Sequence, residues 1–265
     1  MKSFALVLTL FVISAISLSA ADPVPIVEVQ TDYLIGSWSG GKWLKSEVAA
    51  KSVKAGTKFR VYGLTREFGE SKGGKPVGNT DVCQDVFSIE LSPKPEHGAI
   101  AIAAPWNAMP RAPKVIDATQ PVYIQAVSEF LQGKGIKDPK VKITKIVRVD
   151  FEGDGEDEVL ISATNYFQKE DRVPNASPAG SYSFVILRRV VGGKLRTQLV
   201  DGEFYPKAKT FNAPGRYDIC AVLDLDGDGK LEVVLSNDYY EGGWTTIYRC
   251  TPDKVTELLT VACGV

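Results

Sequence analysis

Two nine-residue stretches constrain this chain more than anything else in it. Asp150-Phe151-Glu152-Gly153-Asp154-Gly155-Glu156-Asp157-Glu158 and Asp224-Leu225-Asp226-Gly227-Asp228-Gly229-Lys230-Leu231-Glu232 both carry carboxylates at positions 1, 3, 5 and 9, and glycines at 4 and 6. Their first residues lie 74 positions apart. Carboxylates crowded into so short a segment repel one another. At an effective dielectric of about 20, two such charges 4 Å apart cost roughly 4 kcal/mol. A turn that only reverses the chain has no use for that cost, whereas a bound divalent cation removes it. A hard cation of the calcium type takes 6–8 oxygen ligands at about 2.3–2.6 Å. The candidate ligands are Asp150, Glu152, Asp154 and Glu158 with the carbonyl of Glu156, and Asp224, Asp226, Asp228 and Glu232 with the carbonyl of Lys230. The second loop is expected to bind more tightly, since Glu152 adds a methylene, and more rotamer freedom to lose, where Asp226 has a short arm.

The flanks decide between two kinds of acidic loop. An EF-hand needs a bidentate Glu at position 12 and helices on both sides. Position 12 is Ile161 or Leu235, and the flanking segments are rich in alternating β-branched residues. They predict strands over Lys142–Asp150 and Glu158–Tyr166, then a hairpin of Tyr182–Val191 and Lys194–Val200 across Gly192-Gly193. The second copy repeats the pattern with Tyr217–Asp224, Leu231–Asn237, Trp244–Cys250 and Val255–Val261. Each copy reads as a four-stranded antiparallel meander, the unit of a propeller blade.

These loops resemble those of the FG-GAP and VCBS repeats, the calcium-loop blades of integrin-α-like propellers. Asp224 to Glu232 carries the pattern Asp-x-Asp-Gly-Asp-Gly-x-x-Glu, and the first copy matches it with Glu152 at position 3. The likeness covers Lys142 to about Val261. It implies β-blades, structural calcium and a role at or outside the cell surface.

The expected fold class is therefore mostly β, with propeller-like meanders and one α-helix. The expected organisation is an export signal over 1–21, an N-terminal β region over 22–112, a linker and helix over 113–140, and two calcium-loop repeats over 141–265. Candidate strands in the N-terminal region are Lys58–Leu64, Val86–Leu91 and Gly98–Ala103. Phe68–Thr80, rich in Gly and Lys, reads as a mobile loop, and Pro105–Pro113, with three prolines, as a linker. The helix is expected to be capped by Thr119, to carry Pro121 in its first turn and to end at Gly133 and Gly135. Tyr123, Val127, Phe130 and Leu131 form its apolar face.

Lys2, the apolar run Phe4–Ile16 and the small residues Ser19-Ala20-Ala21 fit a cleaved export signal, with the mature chain starting at Asp22. The apolar run is short for a bilayer span, so no membrane segment is expected after cleavage. Four cysteines, Cys83, Cys220, Cys250 and Cys263, favour disulfides in an exported protein, with three connectivities open. Their spacing gives no zinc site.

Lys plus Arg number 31 against 32 Asp plus Glu, a balance that argues against nucleic acid or an anionic membrane as partner. The single histidine, His97, sits in a turn-like Pro-Glu-His-Gly, and no Gly-x-Ser-x-Gly elbow or phosphate-binding loop is present. The expected role is a secreted or periplasmic binding or interaction module for a protein or glycan. A glycan-acting hydrolase using a carboxylate pair is the alternative. Asn237 to Trp244, with Tyr239, Tyr240, Glu241 and Trp244, is a candidate sugar or peptide platform, or else an aromatic packing surface. Trp38 and Trp43 pose the same choice.

Overall fold

The computed structural model describes residues 22–79, 82–166 and 174–264. The segment read as an export signal lies outside the described residues. The chain first lays down β1 (Val24–Glu28), β2 (Leu34–Ser39), β3 (Lys42–Lys45), a short helix α1 (Ser46–Ala49), β4 (Lys58–Tyr62) and β5 (Glu67–Gly73). A small ribbon of β6 (Val77–Gly78) and β7 (Phe87–Ser88) follows, then β8 (Leu91–Ser92) and β9 (Ile100–Ile102). All but the ribbon join one antiparallel seven-stranded sheet in the order β3-β2-β1-β9-β4-β5-β8. The first acidic loop belongs to a second sheet, built from β10 (Lys114–Ile116), β11 (Ile143–Val149), β12 (Glu158–Thr164), β14 (Ser181–Val191) and β15 (Lys194–Tyr205) in that order. Helix α2 (Pro121–Gly133) lies between β10 and β11 in sequence, and β13 (Ala176–Ser177) pairs with β16 (Lys209–Thr210). The third sheet is the meander β17 (Arg216–Leu223), β18 (Glu232–Tyr239), β19 (Gly242–Cys250) and β20 (Val255–Gly264).

Period-2 alternation sends successive side chains to opposite faces of a strand, and this stacks the sheets. Ile26, Ile100 and Ile102 of the first sheet meet Val234, Ile247 and Leu259 of the third. The other face of the third sheet, through Ile219, Val233 and Leu235, meets Val147, Leu160, Val185 and Leu187 of the second. The far face of the second sheet, with Ile146, Ile161, Phe184 and Ile186, is covered by Val127 and Leu131 of α2. The outer face of the first sheet packs Val27, Phe59, Val61 and Leu91 around Ala49 of α1. Each fully buried Leu, Ile, Val or Phe contributes about 1.5–3 kcal/mol, so the order of layers is fixed by which strand faces are apolar.

The mostly β expectation holds, and both sets of repeat strands fall within a few residues of where they are expected. Five features differ. Among the described residues there are two helices, α1 being a single turn. Among the described residues the sheets form an open stack, with no closed propeller. The first repeat has five strands, because Lys114–Ile116 pairs with Ile146–Arg148 on its edge. Phe68–Gly73 is strand, hydrogen-bonded to β4 on one side and β8 on the other, so the segment read as a loop is held by its neighbours despite poor intrinsic strand character. Gln120 caps α2 without a side-chain bond, while the Thr119 hydroxyl bonds to Asp117. The predicted apolar face of α2 is the one that packs, with Tyr123 and Phe130 flanking Val127 and Leu131.

Cys83 and Cys263 form a disulfide across 180 positions, joining the N-terminal region to the last strand, while Cys220 and Cys250 are free thiols. Thiol counting on denatured, unreduced protein is expected to give two, rising to four after reduction. Replacing both bridged cysteines by serine is expected to cost about 2–5 kcal/mol of stability, read by denaturant unfolding.

Candidate metal centre

Both acidic loops connect the first two long strands of their repeat and curl in the same way. The position-1 carboxylate accepts backbone N–H groups from inside the loop. Asp150 takes those of Gly153 (2.6 Å) and Gly155 (2.9 Å), and Asp224 those of Gly227 (2.7 Å) and Gly229 (3.1 Å). The position-9 glutamate reaches back to the amide of position 2, Glu158 to Phe151 (2.9 Å) and Glu232 to Leu225 (3.0 Å). Position 5 accepts from position 7 through Asp154 with Glu156 and Asp228 with Lys230. The two loops are thus one design made twice, and they touch, since Leu231 N donates to Phe151 O.

The position-4 glycines explain how the loops are covered. Gly153 and Gly227 have φ of +79° and +78°, a left-handed conformation that glycine adopts freely. A Cβ on Gly227 would stand 3.1 Å from the Trp106 ring, and one on Gly153 would stand 3.1 Å from Arg111 Nη1. Trp106 Nε1 donates to Asp224 O (2.9 Å). Arg111 donates to Asp150 O (2.6 Å), Phe151 O (3.1 Å) and Gly229 O (2.6 Å). The segment Pro105–Pro113 is therefore no free linker. It is a strap pinned across both loops.

The loops differ in what their acids do. In the second, oxygens of Asp224, Asp226 and Glu232 all lie within 4.8 Å of one another, the one such group of three or more among the described residues. Glu232 is fully buried, Asp224 nearly so, and the Asp226 side chain is 3% exposed. Asp228 stands outside this triad, on the exposed side of the turn. In the first loop Glu152 is drawn to Arg189, at 2.6 Å, and Asp154 and Glu156 are exposed. An all-oxygen buried triad fits a hard cation, so the residues present in the second loop suit the expected ion.

An arginine serves each loop from the third long strand of its repeat. Val159 pairs with Arg188, and its counterpart Val233 pairs with Tyr248, which makes Arg189 and Arg249 equivalent in register. Arg189 holds Glu152. Arg249 holds Asp226 and, at 3.0 Å, Glu232. Sequence reasoning missed both, because they lie 37 and 23 residues from the acids they serve.

Burial, reinforced by the charge of Asp226, pushes Glu232 up to about 8. Burial also raises Glu158 to about 7, with the charge of Glu152 adding to it, and raises Asp224. Burial opposes ionisation of Asp150 as well, but the amides of Gly155, Gly153 and Asp154 together with Arg111 outweigh it and hold its carboxyl below the ordinary value.

No protein-family model, curated protein or solved structure matches this chain. The likeness to FG-GAP and VCBS repeats thus rests on the loop pattern.

A glutamate whose native pKa lies above its unfolded value leaves the native state holding more protons between the two, so its contribution falls as pH rises. With chelator present, stability is expected to drop between about pH 4.5 and 8 on account of Glu232. Glu232→Gln is expected to flatten that slope. Thermal melting at pH 5, 6.5 and 8 checks both.

Proposed function

We propose that this chain is an exported, calcium-stabilised β-repeat protein of the FG-GAP and VCBS kind, acting as a binding or interaction module. The observation that carries the reading is the convergence of Asp224, Asp226 and Glu232 in a tight glycine turn. Three short-range carboxylates with flexible oxygen geometry suit calcium better than magnesium, which demands near-ideal octahedral geometry and keeps its water. Asp228 at position 5 and the Lys230 carbonyl at position 7, both outside the triad, would complete the ligand set around a bound ion. The ion is structural here, because its ligands sit where the loop, the strap and Arg249 meet, and it offsets charges that the fold brings together. The disulfide fits a compartment outside the reducing cytosol, and no described helix is long and apolar enough to cross a membrane. The disulfide supports export.

Calcium is expected to raise the melting temperature, and at a hundredfold excess over Kd the gain is about 2.7 kcal/mol. Asp226→Asn is expected to remove most of that gain and Asp154→Asn much less, since Asp226 belongs to the buried triad and Asp154 is exposed. A wild-type melt that ignores both calcium and chelator overturns the reading.

Arg249 places a positive charge on two of the three triad carboxylates, so it competes with the ion. In Arg249→Met, calcium is expected to bind roughly tenfold more tightly once that repulsion is gone. The same variant in chelator is expected to lose stability, because two buried carboxylates lose their guanidinium partner. Calorimetric titration and chemical unfolding measure the two effects.

A further inference from the structure

The aromatic stretch Asn237–Trp244 takes no part in the metal centre, yet it borders a sizeable cavity between two sheets. A cleft of about 650 Å³ opens where the first sheet meets the third, lined by Gln30, Thr31 and Tyr33 on one side and by Asp238, Glu241 and Trp244 on the other. A second depression of about 510 Å³ adjoins it, lined by Gln84, Asp85 and Tyr239. The two share Val82, Gly243, Trp244, Cys263 and Gly264. Trp244 therefore borders both halves of one extended groove, beside the Cys83–Cys263 bridge. Each volume falls within the range of about 300–1,000 Å³ usual for ligand sites.

The wall is chemically one-sided. Glu28, Asp238 and Glu241 line the larger half and Asp85 the smaller, while the single cationic side chain on either lining is Arg216, ion-paired with Asp238 at 2.9 Å. Asp238, Glu241 and Asp85 are solvent-exposed; the pair with Arg216 takes up part of the Asp238 charge, and Glu241 and Asp85 face whatever enters. Glu28 is engaged by Thr31 and Thr245, which fixes it in place. Tyr239 stacks against Trp244 with ring centroids 6.0 Å apart, and Tyr240 packs edge-on to Tyr239 at 5.9 Å. An acidic rim around aromatic rings selects a ligand with a cationic head on an apolar stem, the rings attracting the cation through their faces. Gly264 lies on β20, the edge strand of the third sheet, and brings main chain with one unladdered side to the lining.

We propose that this groove binds an extended basic peptide segment, with a lysine or arginine side chain lying against Trp244 and its charge met by Asp238 and Glu241. This rests on the binding-module reading and names its site, but it does not involve the metal.

The probe is a synthetic pentapeptide alternating lysine with leucine, titrated in calcium and again in chelator. Its counterpart with glutamate for lysine and a chitosan oligomer serve as comparisons. The lysine peptide is expected to bind, to shift tryptophan emission and to weaken about tenfold on going from low to high salt, as screening requires. Glu241→Gln combined with Asp238→Asn is expected to weaken it about tenfold or more with little change in melting temperature, since both side chains are exposed. Trp244→Phe is expected to abolish the emission shift; should that variant fold poorly, the carboxylate pair still decides. The proposal is overturned if the lysine peptide does not bind, if it binds the double variant equally well, or if chitosan binds and the peptide does not. Peptide binding without any calcium-dependent melting shift would sink the metal reading and leave the groove standing. The reverse pattern would sink the groove alone.

Discussion

The structure depends on a sheet covered on both faces over most of its strands. The meander β17–β20 is buried on one side against the N-terminal sheet and, through β17–β19, on the other against the first repeat. A sheet in that position keeps its densest charge at its ends, where the strands turn. That is where the second acidic loop sits, and it is why its carboxylates are so much more buried than those of the first loop. The first repeat, with only one neighbouring sheet, leaves more of its loop open to water, and its outer face needs α2 as a lid. The unequal depth of two loops with nearly the same sequence follows from their places in the stack.

At the loop end of the stack, short connections converge from distant parts of the chain. The strap Pro105–Pro113 reaches over both loops, and a single guanidinium, that of Arg111, donates to three carbonyls, two from one loop and one from the other. Trp106 does the equivalent for the second loop by covering Gly227. Arg189 and Arg249 come from the opposite direction, from within the sheets. Each loop is thus held between an outer strap and an inner arginine, and its acids are ordered before any ion is considered. That preorganisation lowers the cost of gathering ligands, while the arginines lower the gain from adding more positive charge.

Much of this was legible in the sequence, for local reasons. The repeat strands announce themselves by alternation of Val, Ile and Leu, the loops by Asp and Gly at fixed spacing, and α2 by Tyr123, Val127, Phe130 and Leu131. What escaped was decided by partners far away in the chain. Glu67–Gly73 has the composition of a loop and is a strand because β4 and β8 supply hydrogen bonds on either side. The strap looks like a linker because its role depends on Trp106 and Arg111 meeting carbonyls up to 118 residues away. The equivalence of Arg189 and Arg249 is visible only once strand register is known, since the two repeats have connections of different length. Trp38 and Trp43 proved to be a cross-strand pair, rings 4.9 Å apart and packed on the core. His97 stays in an exposed turn beside Phe68.

The bridge between Cys83 and Cys263 does more than restrict the unfolded chain. Every strand of both repeats up to Val261 lies between its two ends in sequence, inside a covalent ring. Tension entering through the chain on either side of the bridge passes from one sulfur to the other and bypasses the ring. The N-terminal sheet meets such a load first in β1–β5, whose ladders to β8 and β9 shear, while the covalent path leaves the acidic loops and their strap out of line. A protein tethered in a flowing or shearing environment would keep its loop end intact under forces that open the N-terminal sheet.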